Sequence, residues 1–146
     1  MARLLFILTS CMFLTFTALN ASAAQFNTPK KAVGTYITGV TLGIGKNIEM
    51  AFQKTATIQY FDERGQYQIF GRDQFMQRID TGNKWAAKVE ITNMMITENV
   101  ANATVEFTWG KEKQHGYVDY INLIFDGEQW QITSKVAQYI SRKPEQ

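Results

Sequence analysis

Cysteine, histidine and proline are nearly missing from this 146-residue chain, which has one Cys, one His and two Pro. The single Cys11 lies in an N-terminal stretch that reads as removable, so the exported part has no thiol, disulfide or cysteine-based metal site. His115 has no second His or Cys to join it in a metal site, and no Ser/His/Asp or Cys/His nucleophilic set can be assembled around it. Charge of one sign is also lacking. With 15 basic against 13 acidic side chains, one of them Arg3 in the leader, the chain lacks the basic excess of a nucleic-acid binder. The one long apolar run is Leu4 to Leu19, and no later stretch is long enough to span a bilayer.

That run follows Met1-Ala2-Arg3 and precedes Ala21-Ser22-Ala23, the order of a secretory signal peptide cleaved near Ala23. The expectation is a leader over residues 1–23 and a single periplasmic or secreted domain over 24–146. Leu8-Thr9-Ser10-Cys11 resembles a lipoprotein box that would make Cys11 a lipidated terminus, but the apolar run continues past it where such a box would close it.

The sequence is richer in aromatics, at 13%, and in clear element signals. Thr28-Pro29 reads as an N-cap and first helical residue, with Val33, Tyr36, Ile37 and Val40 at helical spacing, predicting a helix over Pro29 to Leu42. Gly43-Ile44-Gly45 breaks it, and Asn47 is the expected cap of a short second helix carrying Ile48, Ala51 and Phe52. Gly43-Ile44-Gly45-Lys46 has the flavour of a phosphate loop but follows a helix rather than a strand, so it reads as a turn. Thr57 to Phe61 and Gln66 to Phe70 read as a hairpin, and Gly71-Arg72-Asp73 opens a third helix with Phe75, Met76 and Ile79 on its inner side. From Trp85 onward four alternating segments predict an antiparallel meander over Trp85 to Ile96, Ala101 to Gly110, Gly116 to Phe125 and Trp130 to Tyr139.

Turn positions set the expected registers. A tip at Gly127-Glu128 places Phe125 opposite Trp130 and Asp119 opposite Val136, with Lys135 facing Tyr120. The preceding turn is expected to bring Trp109 near Tyr117, Phe107 near Asp119 and Val105 near Ile121. One face then carries Ala103, Val105, Phe107, Trp109, Tyr117, Asp119, Ile121, Leu123, Phe125, Trp130, Ile132, Ser134 and Val136, with Asp119 its only charge. The other carries Val118, Tyr120, Asn122 and Ile124, with Glu106, Tyr120 and Lys135 as a cross-strand ladder. Early helices packed on the apolar face of a curved sheet define an α+β domain that can enclose a cavity.

Tyr36 in the first helix, Ala51-Phe52-Gln53-Lys54-Thr55-Ala56, Gly116-Tyr117-Val118-Asp119-Tyr120-Ile121-Asn122-Leu123 and Gly127-Glu128-Gln129-Trp130-Gln131-Ile132-Thr133-Ser134-Lys135 occur in an order that resembles the nuclear transport factor 2-like superfamily, and within it the putative lumazine-binding branch. The resemblance spans Pro29 to Tyr139. It implies three helices closed over a strongly curved antiparallel sheet as a cone with an internal pocket, often dimeric through the sheet. It implies no single function, since the superfamily holds isomerases, dehydratases, cyclases, transport adaptors and plain binding modules. Many relatives carry a His directly after the Phe of the second helix; this chain has Gln53, so that proton-transfer role does not carry over.

Asp119, a carboxylate on an apolar face, is the candidate catalytic acid or base, with Tyr36 or Tyr117 as hydrogen-bond donor; its structural alternative is a bond to a helix-borne hydroxyl such as Tyr36. His115, about 13 Å along the strand from Asp119, is expected at a solvated rim. Tyr36, Phe52, Phe107, Trp109, Tyr117, Asp119 and Trp130 form the candidate ligand-binding set for a small, flat, mostly apolar molecule. Val118, Tyr120, Asn122 and Ile124 form the candidate homodimer face. The leading expectation is a noncatalytic ligand-binding domain without cofactor or metal; the alternatives are a cofactor-free isomerase or dehydratase acting through Asp119, and a dimeric adaptor or structural module.

Overall fold

The computed structural model describes residues 26–142, so the leader, Cys11 and the cleavage site at Ala23 lie outside the described residues. Helix α1 spans Pro29–Leu42, as the Thr28-Pro29 signal predicts: the Thr28 hydroxyl accepts from the Lys31 N–H, and Gly43, in the left-handed region at φ 67°, closes the helix. Ala32, Val33, Tyr36 and Gly39 turn one buried stripe to the core. Helix α2 covers Gly45–Ala51, and here the expected cap is corrected. Ile44 stands at the cap position without a side-chain bond, and Asn47 lies inside the helix. Asp80 Oδ1 instead accepts from the Gly45 N–H at 2.9 Å, so a side chain distant in sequence satisfies one of the free amides.

Strand β1 (Phe52–Phe61) and strand β2 (Tyr67–Gly71) form the expected hairpin, and helix α3 (Arg72–Ile79) follows directly. The meander comprises β3 (Lys88–Thr97), β4 (Val100–Trp109), β5 (His115–Phe125) and β6 (Trp130–Ser141). All six strands join in one sheet of order β2-β1-β6-β5-β4-β3, antiparallel except where β1 runs parallel to β6. The early hairpin thereby extends the late meander, and the three helices close over one face of the sheet. Tyr36, Phe52, Phe107, Ile48, Ile58, Ile121, Ile132 and Val105 fill the core beneath them. Among the described residues no helix is long and apolar enough to cross a membrane.

Two registers differ from expectation, with different consequences. In the β4–β5 hairpin Trp109 faces His115, Phe107 faces Tyr117 and Val105 faces Asp119, two residues from the expected pairing. A shift of two preserves the faces, because side chains alternate with period two. In the β5–β6 hairpin Phe125 faces Trp130 as expected, but the pairing jumps from Leu123/Ile132 to Asn122/Ser134, leaving Thr133 as an extra residue. That bulge inverts the rest of the strand. Asp119 faces Ala137 rather than Val136, Lys135 pairs with Ile121 and is buried, and Val136 is exposed. Ser134 and Val136 thus leave the inner face, which Lys135 and Ala137 join. The expected Glu106-Tyr120-Lys135 ladder does not form: Glu106 is bound by Arg142, 3.0 Å away.

Candidate functional site

Beneath the helices lies a cavity of about 460 Å³. Its walls are set by Tyr36 and Val40 on α1, Phe75, Arg78 and Ile79 on α3, Tyr60 on β1, and Phe107, Tyr117, Asp119 and Lys135 on the meander, with Thr81, Asn83, Lys84 and Trp85 from the loop after α3. Aromatic packing gives these walls their shape. Trp85 lies nearly parallel to Phe107, with ring centres 5.5 Å apart and planes 11° from parallel, and Tyr60 meets Tyr117 edge to face at 6.1 Å.

The buried polar centre consists of Asp119, Lys135 and Tyr36. The Lys135 ammonium lies 3.2 Å from Asp119 Oδ2, in an ion pair whose side chains are 8% and 1% exposed. The Tyr36 hydroxyl donates to the same oxygen. Asp119 Oδ1 is buried and accepts from no donor among the described residues. One carboxylate oxygen therefore takes both donors, and the other is shut away. The expectation that Asp119 is the only charge on this face is corrected by the Thr133 bulge, which brings Lys135 in beside it. The ammonium also faces the rings of Phe75, Tyr36 and Tyr60 at 5.2, 5.6 and 5.9 Å, an aromatic enclosure that helps hold a cation with little water.

These surroundings act on the two phenols. Burial, then the negative charge of Asp119 and the bond to it, holds the Tyr36 proton well above the usual tyrosine range. Tyr117 is pushed up to about 12, chiefly by burial and next by the charge of Glu63. Both hydroxyls carry their protons at neutral pH, but that of Tyr36 is already committed to Asp119.

Of the ligand-binding set read from the sequence, Tyr36, Phe107, Tyr117 and Asp119 line the cavity. Phe52 and Trp130 are buried core residues outside the lining, and Trp109 stands beside it against Trp85, Tyr117 and His115. His115 is not a solvated rim residue: it is part-buried, stacked on Trp109 and Tyr139, with Nδ1 2.7 Å from the Tyr139 hydroxyl. Sequence reasoning missed Lys135, Tyr60, Trp85, Phe75 and Arg78. For Phe75 the signal was present in the predicted inner face of α3, which did not include Arg78; for Lys135 only an even register past Thr133 hid it. Val118, Tyr120, Asn122 and Ile124 stand on the outer sheet face, where an Asn102-Asn122-Ser134 chain of side-chain bonds crosses three strands. Among the described residues no three His, Cys, Asp or Glu side chains gather as a metal-binding group.

A family model described as "Putative lumazine-binding" matches residues 24–138. Solved structures with the same fold include an NTF-2 like protein of unknown function from Silicibacter pomeroyi DSS-3, 21% identical, with TM-score 0.65, covering 75% of this chain and 91% of that one. An NTF2-like protein of unknown function from Methylobacillus flagellatus KT is 22% identical with TM-score 0.66, covering 77% and 90%. A ketosteroid isomerase-like protein from Erwinia carotovora atroseptica shares 11% identity at TM-score 0.61, covering 80% and 97%. No curated protein matches.

Proposed function

The chain belongs to the putative lumazine-binding family of the NTF2-like superfamily, and on that premise we propose that it is an exported, noncatalytic domain that holds a small planar molecule in its cone. The observation that carries this reading is the aromatic-walled cavity of about 460 Å³, a volume suited to a small organic ligand. Binding is favoured over turnover by the state of Asp119. A general base must present an oxygen to its substrate, whereas Oδ2 is occupied by Lys135 and Tyr36 and Oδ1 is buried away from solvent. The same proposal has the leader removed near Ala23, placing residues 24–146 in the periplasm or outside the cell, paired through the outer sheet face.

The test is thermal unfolding of residues 24–146 with a panel of planar metabolites. A ligand present at a hundred times its dissociation constant adds about 2.7 kcal/mol to the folded state, a shift of several degrees in a domain of this size. A panel that leaves the midpoint unmoved at millimolar concentration, while the protein remains folded, defeats the proposal.

A further inference from the structure

The cavity lining is not electrically neutral. Four charged side chains contribute to it: Asp119, Lys135, Arg78 and Lys84. Asp119 and Lys135 answer each other in the buried pair. Arg78 and Lys84 are exposed, and neither has a carboxylate partner within ion-pair distance among the described residues. The Arg78 guanidinium lies 4.0 Å above the Phe70 ring, which steadies it without neutralising it. Two uncompensated cations therefore stand at the open end of an aromatic-walled cavity. The chain as a whole is close to charge balance, so they do not reflect a generally basic protein.

We infer that the cavity takes a flat organic anion, an aromatic or conjugated carboxylate whose ring lies against the Trp85–Phe107 stack and whose acid group meets Arg78 and Lys84. The inference rests on the binding reading above and specifies the ligand's charge and orientation. Orientation follows from the field inside the cone. Glu63 adds to burial in raising the Tyr117 proton affinity, so the Tyr117 wall is a poor place for a second negative charge. The deep end has instead a hydrogen-bond donor to offer. Lys135 has three N–H groups and a single hydrogen bond, to Asp119, so an ether, hydroxyl or carbonyl oxygen at the ligand's far end can accept from it. The arginine fork and lysine point charge at the entrance suit a carboxylate, and their exposure makes the attraction sensitive to salt.

The probes are 4-hydroxycinnamate, its methyl ester, and coumarin as a neutral flat molecule, titrated calorimetrically into residues 24–146. The acid should bind about ten-fold more tightly than the ester, and added salt should erode that preference. The Arg78→Gln/Lys84→Gln double variant, altered only at exposed positions, should unfold like the parent and bind acid and ester alike. Equal binding of acid and ester by the parent protein overturns the inference, as does a preference that survives in the double variant. Binding of coumarin with no response to the acid overturns the anion assignment and leaves the binding domain standing. Silence from all three probes and from the wider planar panel removes both.

Discussion

At the residue scale the decisive feature is a buried ion pair that the even alternation of the strand would not produce. Asp119 and Lys135 are nearly inaccessible, so removing one partner strands a charge in an apolar enclosure. Lys135→Ala is expected to cost about 3–5 kcal/mol in urea unfolding, while Asp119→Leu combined with Lys135→Met should recover most of that loss. A Lys135→Ala protein within about 1 kcal/mol of the parent would show that the pair is not the buried contact described. Tyr36 gives the second residue-level expectation. Its folded-state proton affinity is raised, so the unfolded chain releases that proton first, near pH 10. The folded state then binds more protons, and stability, fully present below about pH 10, declines as pH rises further. Tyr36→Phe removes one proton from this linkage and should flatten the alkaline decline by about 1.4 kcal/mol per pH unit, measured by denaturant unfolding across the alkaline range.

At the element scale the Thr133 bulge determines what the cavity contains. Thr133 Oγ1 donates to the Asn122 carbonyl at 3.2 Å, tying the extra residue to the neighbouring strand. Deleting Thr133 lets Ser134 follow Ile132 in even alternation, so Lys135 stays inward and Val136 outward. The deletion should therefore keep a cooperative thermal melt, whereas one Ala inserted between Ser134 and Lys135 turns Lys135 outward and Val136 inward and should abolish it; Thr133→Val, which keeps the residue count, should cost about 1 kcal/mol. Circular dichroism melts separate these outcomes, and a cooperative melt from the insertion would show that the fold does not depend on which face Lys135 takes. Gly116 tightens the adjoining strand pair in another way: a Cβ there would stand 2.7 Å from the Phe107 carbonyl oxygen, so β4 and β5 approach at a point only glycine permits.

At the scale of the whole molecule, the sheet has one face under the helices and one face open. On the open face Tyr120 and Val136, opposite each other on β5 and β6, are 53% and 49% exposed, and Ile124 lies further along β5. Apolar side chains clustered on an uncovered sheet suit the proposed homodimer. Tyr120→Lys with Val136→Lys should convert a dimer in sedimentation velocity to a monomer with unchanged thermal stability of the fold. A parent protein that is monomeric at high concentration would remove the dimer from the proposal.

The sequence by itself determined the local grammar of this protein. The Thr28-Pro29 start and Gly43 end of α1, the β1–β2 hairpin, the start of α3 and the four late strands are all legible, because caps, glycines and alternation act over a few residues. Family resemblance added the cone, and the lone carboxylate of Asp119 on an apolar face made a bond to Tyr36, 83 positions away, one of its two readings. Only the tertiary structure decided the parallel union of β1 with β6, the capping of α2 by Asp80, and the entry of Lys135 into the cavity. The physical reason is parity. One extra residue in a strand reverses every side chain beyond it, and whether that residue bulges is settled by packing across the sheet, by the burial of Ala137 and the pairing of Lys135 with Asp119, rather than by the residues around Thr133 alone.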